Sequence, residues 1–270
     1  MSGIFVILEE RDGRVSRVSW EALAAARQIF QQRQQAIVAV VLGAAVDMQL
    51  AEAATKGIDK VIRVHHPLLA PYTSDAYTIA LHQLIQQEQP SYVVFPHTYQ
   101  VRDFAPALAA RLGQVLVSDV VALSDGPVFT RQLMQGRLNG NYRHAGNGPC
   151  LISVQAGAFR ADATAVEECE VAQFEPQIEA GQIRTKPGAP FRGSAQTVDL
   201  GSAQRIVSVG RGIKESDNLP LVQELATALE AELAASRPIC DNGWLPMERQ
   251  VGSSGQTVSP KLYLAVGISG

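Results

Sequence analysis

The stretch IVSVGRGIK, residues 206–214, is an apolar run that passes directly into two glycines flanking an arginine. The run Arg205–Val209 predicts a buried strand, and residues 210–212 predict a tight turn after it. A strand that ends in a glycine turn is a common way to present backbone N–H groups to a phosphate. The turn lacks the third glycine of the dinucleotide fingerprint G-x-G-x-x-G, so by itself it does not separate a ligand site from an ordinary turn.

Three later stretches share this chemistry. They are Ser236-Arg237, the VGSSG of residues 251–255, and the GISG of residues 267–270, which follows an apolar run at Tyr263–Val266. In an open parallel sheet, the loops at the carboxyl ends of neighbouring strands lie side by side, and nucleotides bind at that edge. We therefore expect the four stretches to form one ligand site. Arginines, hydroxyls and exposed backbone N–H groups suit a dianionic pyrophosphate and an electron-rich ring.

Between these stretches the sequence predicts one helix, from about Leu219 to Ala235. Leucines recur there at intervals of four, and two smaller apolar residues lie beside them, which gives one apolar stripe along a helix. The stripe consists of Leu221, Val222, Leu225, Ala226, Leu229 and Leu233.

The first half of the chain alternates short apolar runs with longer amphipathic stretches, as in a parallel sheet of right-handed βαβ units. The predicted strands are Ile4–Leu8, Ala36–Leu42, Lys60–Val64 and Tyr92–Phe95. The predicted helices are Trp20–Gln32, Met48–Ala54, Asp75–Gln87 and Asp103–Leu112. Turn-rich links then join four closely spaced runs, which predicts a mainly antiparallel extension of the same sheet. These runs are Leu116–Leu123, Val128–Leu133, Leu138–His144 and Cys150–Val154.

The periodic pattern fades between Glu167 and Gln204. The stretch TKPGAPFRGSAQ, residues 185–196, is rich in Pro, Gly and small polar residues, which is typical of a linker. We therefore place a domain boundary near residue 190, with an N-terminal α/β domain at residues 1–190 and a second domain at residues 191–270.

The composition is that of an ordinary globular protein, with 46% hydrophobic and 18% charged residues and a formal net charge of -3. This balance argues against nucleic-acid binding by charge. The longest apolar run, Ala36–Val46, is shorter than the ~20 residues of a membrane helix, so no membrane insertion is predicted. Three scattered cysteines, Cys150, Cys169 and Cys240, and the lack of a secretion signal predict a cytoplasmic protein with buried thiols.

No other stretch predicts catalysis or metal binding. His65-His66 could suggest a metal pair, but adjacent residues on an extended chain point to opposite faces, so a solvated loop is the simpler interpretation. His97 follows a predicted strand and stays unassigned. The sequence pattern indicates neither a Ser/His/Asp triad nor a pair of catalytic carboxylates, so we predict no catalytic residue and no metal site.

Several stretches, in order and spacing, resemble the electron transfer flavoprotein alpha subunit family. In the second half they are IVSVGRGIK, LAASRPICDNGWLP, RQVGSSG and SPKLYLAVGISG. In the first half they are FPHTYQVRDFAPALAARLG, SDVVAL and ISVQAGAFRAD. The resemblance covers nearly the whole chain. It implies an α/β fold with an N-terminal nucleotide-hydrolase-like parallel sheet, its antiparallel extension, and a C-terminal Rossmann-like FAD-binding domain.

The resemblance also implies a function and partners. Such a chain pairs with a beta subunit and carries electrons through FAD from flavin dehydrogenases, such as the acyl-CoA dehydrogenases of fatty acid oxidation, to a quinone oxidoreductase. The beta subunit supplies the other wall of the FAD site and usually holds a structural AMP. The protein is then an electron carrier rather than a catalyst of bond chemistry, in the cytoplasm, or in the mitochondrial matrix if eukaryotic.

Carried over residue by residue, the resemblance implies a set of FAD contacts in which Arg237 matches the arginine over the flavin ring. The set is Arg211, Ser236, Arg237, Val251, Gly252, Ser253, Ser254, Ser269 and Gly270. The sequence departs from the family at Ser253 and Ser254, where Gln-Thr is common, so the amide reach at residue 253 is lost while a hydroxyl remains at residue 254.

A second departure concerns the end of the chain, because the family continues past GISG into a helix and two further strands. We therefore expect an FAD-binding domain that is incomplete at its C-terminus, as in a fragment of a longer protein. Two alternatives stay open at this point. One is a flavin-free interaction or scaffold subunit, and the other is a nucleotide-dependent transferase on a similar domain.

Overall fold

The computed structural model describes residues 3–11, 13–134, 136–161, 169–188, 200–201, 203–252 and 255–268. The chain divides into two compact units, residues 1–188 and residues 189–270. Among the residues described, each unit contains its own mainly parallel sheet, of nine strands in the first and three in the second. No helix among the described residues is long and apolar enough to cross a membrane.

The first unit alternates strands and helices, and the four strands and four helices predicted in its first half are confirmed. Its strands are β1 (Ile4–Leu8), β2 (Glu10–Arg11), β3 (Arg14–Val15), β4 (Ile37–Gly43), β5 (Lys60–His65), β6 (Tyr92–Pro96), β7 (Leu116–Ser124), β8 (Val128–Leu133), β9 (Leu138–Tyr142), β10 (Cys150–Val154) and β11 (Glu170–Phe174). Its helices are α1 (Arg17–Arg33), α2 (Asp47–Ala54), α3 (Ser74–Glu88) and α4 (Tyr99–Leu112).

The large sheet has the strand order β11-β5-β4-β1-β6-β10-β7-β8-β9. Every neighbouring pair from β11 to β7 is parallel, and β8 and β9 extend the sheet as an antiparallel arm. The prediction that Cys150–Val154 belongs to the antiparallel extension is wrong, because β10 lies between β6 and β7 and is parallel to both. Its five residues are all buried, as expected for a strand inside a parallel sheet.

Helices cover both faces of this sheet, as the continuous apolar strands predict. In β1, Ile4 and Val6 pack on the face that α1 covers, and Phe5 and Ile7 pack on the opposite face with side chains of α3 and α4. Strand β11 lies within residues 167–204, where the periodic pattern fades and no strand was predicted, and it pairs in parallel with β5 at the sheet edge. The side chains of β11 are mostly exposed, so its apolar pattern is weak.

Helix α4 begins earlier than the predicted Asp103. Thr98 is its N-cap residue, and the Thr98 hydroxyl accepts a hydrogen bond from the Val101 N–H at 3.1 Å. The helix ends where Gly113 takes a left-handed conformation with φ of 64°. This places His97 and the first turn of α4 at the carboxyl end of β6.

The second unit contains β12 (Arg205–Val209), α5 (Leu219–Ala228), β13 (Glu232–Ala235), α6 (Arg237–Asp241) and β14 (Leu262–Val266). Its three strands are parallel in the order β13-β12-β14. The predicted single helix from Leu219 to Ala235 is wrong: α5 ends at Ala228, Glu230 has a left-handed φ of 49°, and β13 follows.

The buried face of α5 also differs from the predicted leucine stripe. Val222 and Ala226 are buried against the sheet, whereas Leu221 is 70% exposed. Leu233 is buried as part of β13, together with its neighbours in that strand. Leu233, the last leucine of the predicted stripe, is therefore apolar because it lies in a buried strand, and the spacing of four does not reflect one continuous helix.

Candidate functional site

Three loops meet at the carboxyl edge of the second unit's sheet. The register pairs Val209 of β12 with Ala235 of β13 on one side and with Val266 of β14 on the other. The residues that follow these strands, Gly210, Ser236 and Gly267, therefore leave the sheet at the same level. The chain runs from β12 to one side and returns on the other side as β14, so this edge is a topological switch point, where open α/β sheets bind ligands.

The loops after β12 and β14 are in backbone contact. The Gly210 N–H donates to the Val266 carbonyl oxygen at 2.8 Å, and the Gly212 N–H donates to the Gly267 carbonyl oxygen at 2.7 Å. A Cβ atom at residue 212 would lie 2.5 Å from the Gly267 Cα atom, so a side chain there is excluded. These two N–H groups are therefore not available to a ligand, because neighbouring carbonyl oxygens accept their hydrogen bonds.

The third glycine-containing stretch lies on the far side of β13. Gln250 forms a parallel bridge with Ala235, and the Val251 N–H donates to the Ala235 carbonyl oxygen at 2.9 Å. Gly252 has a left-handed φ of 76°, and its N–H donates to the Gln256 carbonyl oxygen at 3.1 Å. Val251 and Gly252 therefore continue the same edge of the sheet beyond β13.

Two arginines bring positive charge to this edge. Arg211 is exposed in a single turn of 3-10 helix at Arg211–Ile213. The Arg237 side chain is 57% exposed, and its Nε atom lies 3.3 Å from an Asp241 carboxylate oxygen one turn along α6. Exposed pairs of this kind contribute little to stability, so this guanidinium can exchange Asp241 for a ligand at low cost.

Ser236 supplies a hydroxyl between the two arginines in the chain. Its backbone is extended, with φ of −75° and ψ of 155°, and its N–H donates to the Val209 carbonyl oxygen at 2.9 Å. The Ser236 side chain makes no capping hydrogen bond to α6. A hydroxyl and two guanidinium groups thus lie on loops at one end of the sheet, and all of them can donate hydrogen bonds to an anion.

Comparison with known proteins covers both units of the chain. Residues 4–179 match the family model described as electron transfer flavoprotein domain, and residues 199–270 match the model described as electron transfer flavoprotein FAD-binding domain. The chain belongs to the electron transfer flavoprotein alpha subunit family. The resemblance read from the sequence is thereby confirmed, together with its α/β fold class.

Individual relatives are similar over almost all of this chain. The electron transfer flavoprotein subunit alpha of Syntrophomonas wolfei is 35% identical over 273 residues, which are 100% of this chain and 84% of that protein. The corresponding subunit of Thermoanaerobacterium thermosaccharolyticum is 33% identical over 99% of this chain and 82% of its own length. A relative named acryloyl-CoA reductase electron transfer subunit beta, from Anaerotignum propionicum, is 30% identical over 99% of this chain.

The described part of the edge fits the flavin nucleotide named by the family model. A dianionic pyrophosphate needs cationic and hydroxyl donors, and Arg211, Arg237 and Ser236 provide them on adjacent loops. Four of the predicted contacts, Ser253, Ser254, Ser269 and Gly270, lie outside the described residues.

The remaining reactive residues show no catalytic or metal-binding arrangement in the described ranges. No group of three His, Cys, Asp or Glu side chains there could hold a metal ion, and the His66 Nδ1 atom accepts the Leu68 N–H at 3.2 Å. Burial raises the pKa of the Cys150 thiol to about 12, and it also raises the pKa of Cys240 in α6. Both thiols are therefore protonated at neutral pH and unsuited to act as nucleophiles.

Sequence reasoning missed two polar clusters at the carboxyl edge of the first unit's sheet. Glu9 follows β1 and accepts a hydrogen bond from the Thr98 hydroxyl at the start of α4. His97 follows β6, and its Nδ1 atom lies 2.9 Å from the Ser153 Oγ atom in β10. The only signal in the sequence was their position after predicted strands, which is shared by many residues of no function.

Proposed function

We propose that this chain transfers electrons as the alpha subunit of an electron transfer flavoprotein and that FAD binds at the carboxyl edge of β12, β13 and β14. The observation that supports this most strongly is a coincidence in position. The match to the FAD-binding domain spans residues 199–270, the part of the chain that presents two exposed guanidinium groups at a switch point. When bound, FAD supplies the electron-accepting and electron-donating chemistry, while the protein binds, orients and shields it.

Each described residue has a proposed task at that edge. Arg211 pairs with the pyrophosphate, since its guanidinium is exposed directly after β12. Arg237 releases Asp241 and places its planar guanidinium over the flavin ring, and the Ser236 hydroxyl donates to an oxygen of the ligand. Val251 and Gly252 form the wall beyond β13. The predicted contacts at residues 253, 254, 269 and 270 complete this proposal.

The proposal extends to partners. A beta subunit would complete the FAD site and hold AMP, flavin dehydrogenases would donate electrons, and a quinone oxidoreductase would accept them. The relative named as an electron transfer subunit of acryloyl-CoA reductase supports a carrier role alongside an acyl-CoA enzyme. The FAD-binding match does not favour the flavin-free scaffold or the nucleotide-dependent transferase.

The test is to express the full-length protein with its beta subunit and to measure FAD per heterodimer after gel filtration. We expect one FAD in the parent protein and strong loss in Arg211→Glu, because the change replaces a charge-assisted bond with repulsion of the pyrophosphate. Since such a bond contributes about 1.5 to 3 kcal/mol, its loss alone should lower the affinity for FAD by about 10- to 150-fold.

The matched control is Arg205→Glu, at the opposite end of the same strand. Arg205 is exposed and lies 3.2 Å from a Glu230 carboxylate oxygen, so this variant makes the same charge change away from the proposed site. We expect it to retain FAD. A heterodimer that forms without flavin, or equal FAD loss in both variants, would refute the proposed site.

A further inference from the structure

A separate pocket of about 190 Å³ lies in the first unit between α4 and the start of β7. Its apolar walls are Val101 and Pro106 of α4 and Leu116 of β7. A cavity of about 150 Å³ in another protein accepts benzene, so this pocket has room for a six-membered ring with one small substituent. The apolar walls favour a ligand with a hydrocarbon body.

The floor of the pocket is polar and internally bonded. Ser153 is only 1% exposed, and its Oγ atom accepts the Asp119 N–H at 3.2 Å and lies 2.9 Å from the His97 Nδ1 atom. The Asp119 carboxylate lies 3.8 Å from the His97 Nε2 atom, which favours the tautomer with its proton on Nε2. The Ser153 hydroxyl then donates to Nδ1, and the imidazole is fixed in orientation.

A β-bulge builds this floor. The ladder between β10 and β7 shifts register at Ser153, so that Ser118 and Asp119 together lie opposite this one residue. Asp119 has a left-handed φ of 61°, a backbone conformation that residues other than Gly adopt only in a few per cent of cases. Bulges and left-handed residues of this kind cluster next to binding sites, because they redirect side chains at a cost in backbone energy.

The charge of the lining determines the kind of ligand. Arg102, in the first turn of α4, is the charged side chain at the pocket, and its guanidinium carbon lies 5.6 Å from the centre of the Tyr99 ring. Burial lowers the pKa of His97, with Arg102 and Arg131 acting in the same direction and Asp119 opposing them, so the imidazole is neutral at neutral pH. Among the lining residues Arg102 therefore carries the charge that can pair with an anion, whereas the Asp119 carboxylate, which is not part of the lining, lies 3.8 Å from the His97 Nε2 atom.

We propose that this α4–β7 pocket binds a small monocarboxylate with an apolar body about the size of benzoate. The carboxylate pairs with the Arg102 guanidinium at the rim, and the ring packs between Val101, Pro106 and Leu116. The Ser118 hydroxyl and the His97 imidazole form the polar end of the pocket. All residues of this pocket belong to the first unit, whereas the proposed FAD edge belongs to the second.

The test is calorimetric titration of the full-length protein, paired with its beta subunit, with sodium benzoate and with benzyl alcohol as the uncharged analogue. We expect saturable benzoate binding with a dissociation constant of about 1 mM or below and weaker binding of benzyl alcohol. Arg102→Gln should weaken benzoate binding about tenfold or more, because it removes a charge-assisted bond, and should leave binding of the alcohol unchanged.

Two further variants keep the result decisive. Arg111→Gln makes the same substitution in the last turn of α4, outside the pocket lining, and should bind benzoate like the parent. Ser118→Leu fills the pocket and should abolish binding of both ligands. The proposal is overturned if benzoate shows no saturable heat, if both ligands bind equally well, if Arg111→Gln and Arg102→Gln have the same effect, or if correctly folded Ser118→Leu binds like the parent.

Discussion

In the first unit the central strand β1 lies between β4 and β6, and in the second unit β12 lies between β13 and β14. In both units the chain leaves the central strand towards one side and later returns on the other. Each sheet therefore has a switch point at its carboxyl edge, the position where open α/β sheets bind ligands. The residues that follow the two central strands, however, are chemically opposite.

After β1 comes Glu9, which is half-buried and accepts a hydrogen bond from Thr98, the N-cap residue of α4. After β12 come Gly210 and Arg211, and the side chain of Arg211 is exposed. A carboxylate at the first edge repels a phosphate. Glu9 also lies at the N-terminus of α4, so its negative charge already offsets the partial positive charge of the helix dipole there. At the second edge the cation attracts an anion.

The comparison shows that topology alone does not make a nucleotide site. Both sheets supply the same crevice, and the sign of the charge after the central strand separates them. In the second unit the glycines let two loops approach closely, whereas the recognition of an anion depends on arginine side chains. Substitutions at three positions test this distinction.

The largest effect is expected from Arg237→Ala in the complete, FAD-loaded heterodimer. Reduction adds negative charge to the flavin, and a fixed guanidinium beside it favours the reduced form. A charged hydrogen bond contributes about 1.5 to 3 kcal/mol, and ~59 mV corresponds to a tenfold change for one electron, so the first reduction potential should fall by about 60 to 130 mV. Potentiometric titration measures it.

Arg237→Lys sharpens this prediction, because lysine keeps the charge but lacks the planar fork. It should recover only part of the lost potential. A shift below about 20 mV in Arg237→Ala, well under the contribution of one such hydrogen bond, would remove Arg237 from the flavin site. The contrast between the two edges would then rest on Arg211 alone.

A smaller effect is expected from Gly212→Ala, which tests the contact between the loops after β12 and β14. The new Cβ atom would lie 2.5 Å from the Gly267 Cα atom, so backbone has to shift. Overpacking of this kind costs about 1 to 3 kcal/mol, and the second unit should melt at a lower temperature in calorimetry. Gly181→Ala is the control, because a Cβ atom there meets nothing within 4 Å, and an equal loss in both variants would contradict the prediction.

The sequence predicts most of the fold because its central strands are buried on both faces. Continuous apolar runs such as Ile4–Leu8 have no other simple interpretation. The failure at β13 has a specific cause, since Leu, Ala and Glu around Glu230 are strong helix formers and only the left-handed turn at that residue ends the helix. Strand β11 was missed because an exposed edge strand carries a weak apolar pattern.

The candidate sites were predictable only where the ligand-facing groups follow strands in a short segment of sequence. Arg211, Ser236 and Val251 each lie within two residues of the end of a strand or bridge of one small sheet, so simple topology brings them to one edge. His97 and Ser153 are far apart in the sequence, and only the parallel pairing of β6 with β10 brings them together. Glu9 and Thr98 are likewise far apart in the sequence, and the parallel pairing of β1 with β6 brings them together.

The smallest effect is expected from Glu9→Gln, which removes the negative charge from the first edge. Burial raises the pKa of the Glu9 carboxyl above its ordinary value of 4.5, although the hydrogen bond from Thr98 acts the other way. The folded state thus binds this proton more tightly than the unfolded state, so the stability of the parent protein falls as the pH rises from 4.5 through the raised pKa. Glutamine can accept the same hydrogen bond without a charge, so Glu9→Gln should gain stability over the parent at pH 7 and lose that advantage below pH 4.5.

Denaturant unfolding at several pH values measures this difference, with Glu10→Gln, an exposed neighbour in β2, as the control. If Glu9→Gln and the parent respond identically to pH while Glu10→Gln does not, the carboxylate that distinguishes the first edge from the second is not Glu9.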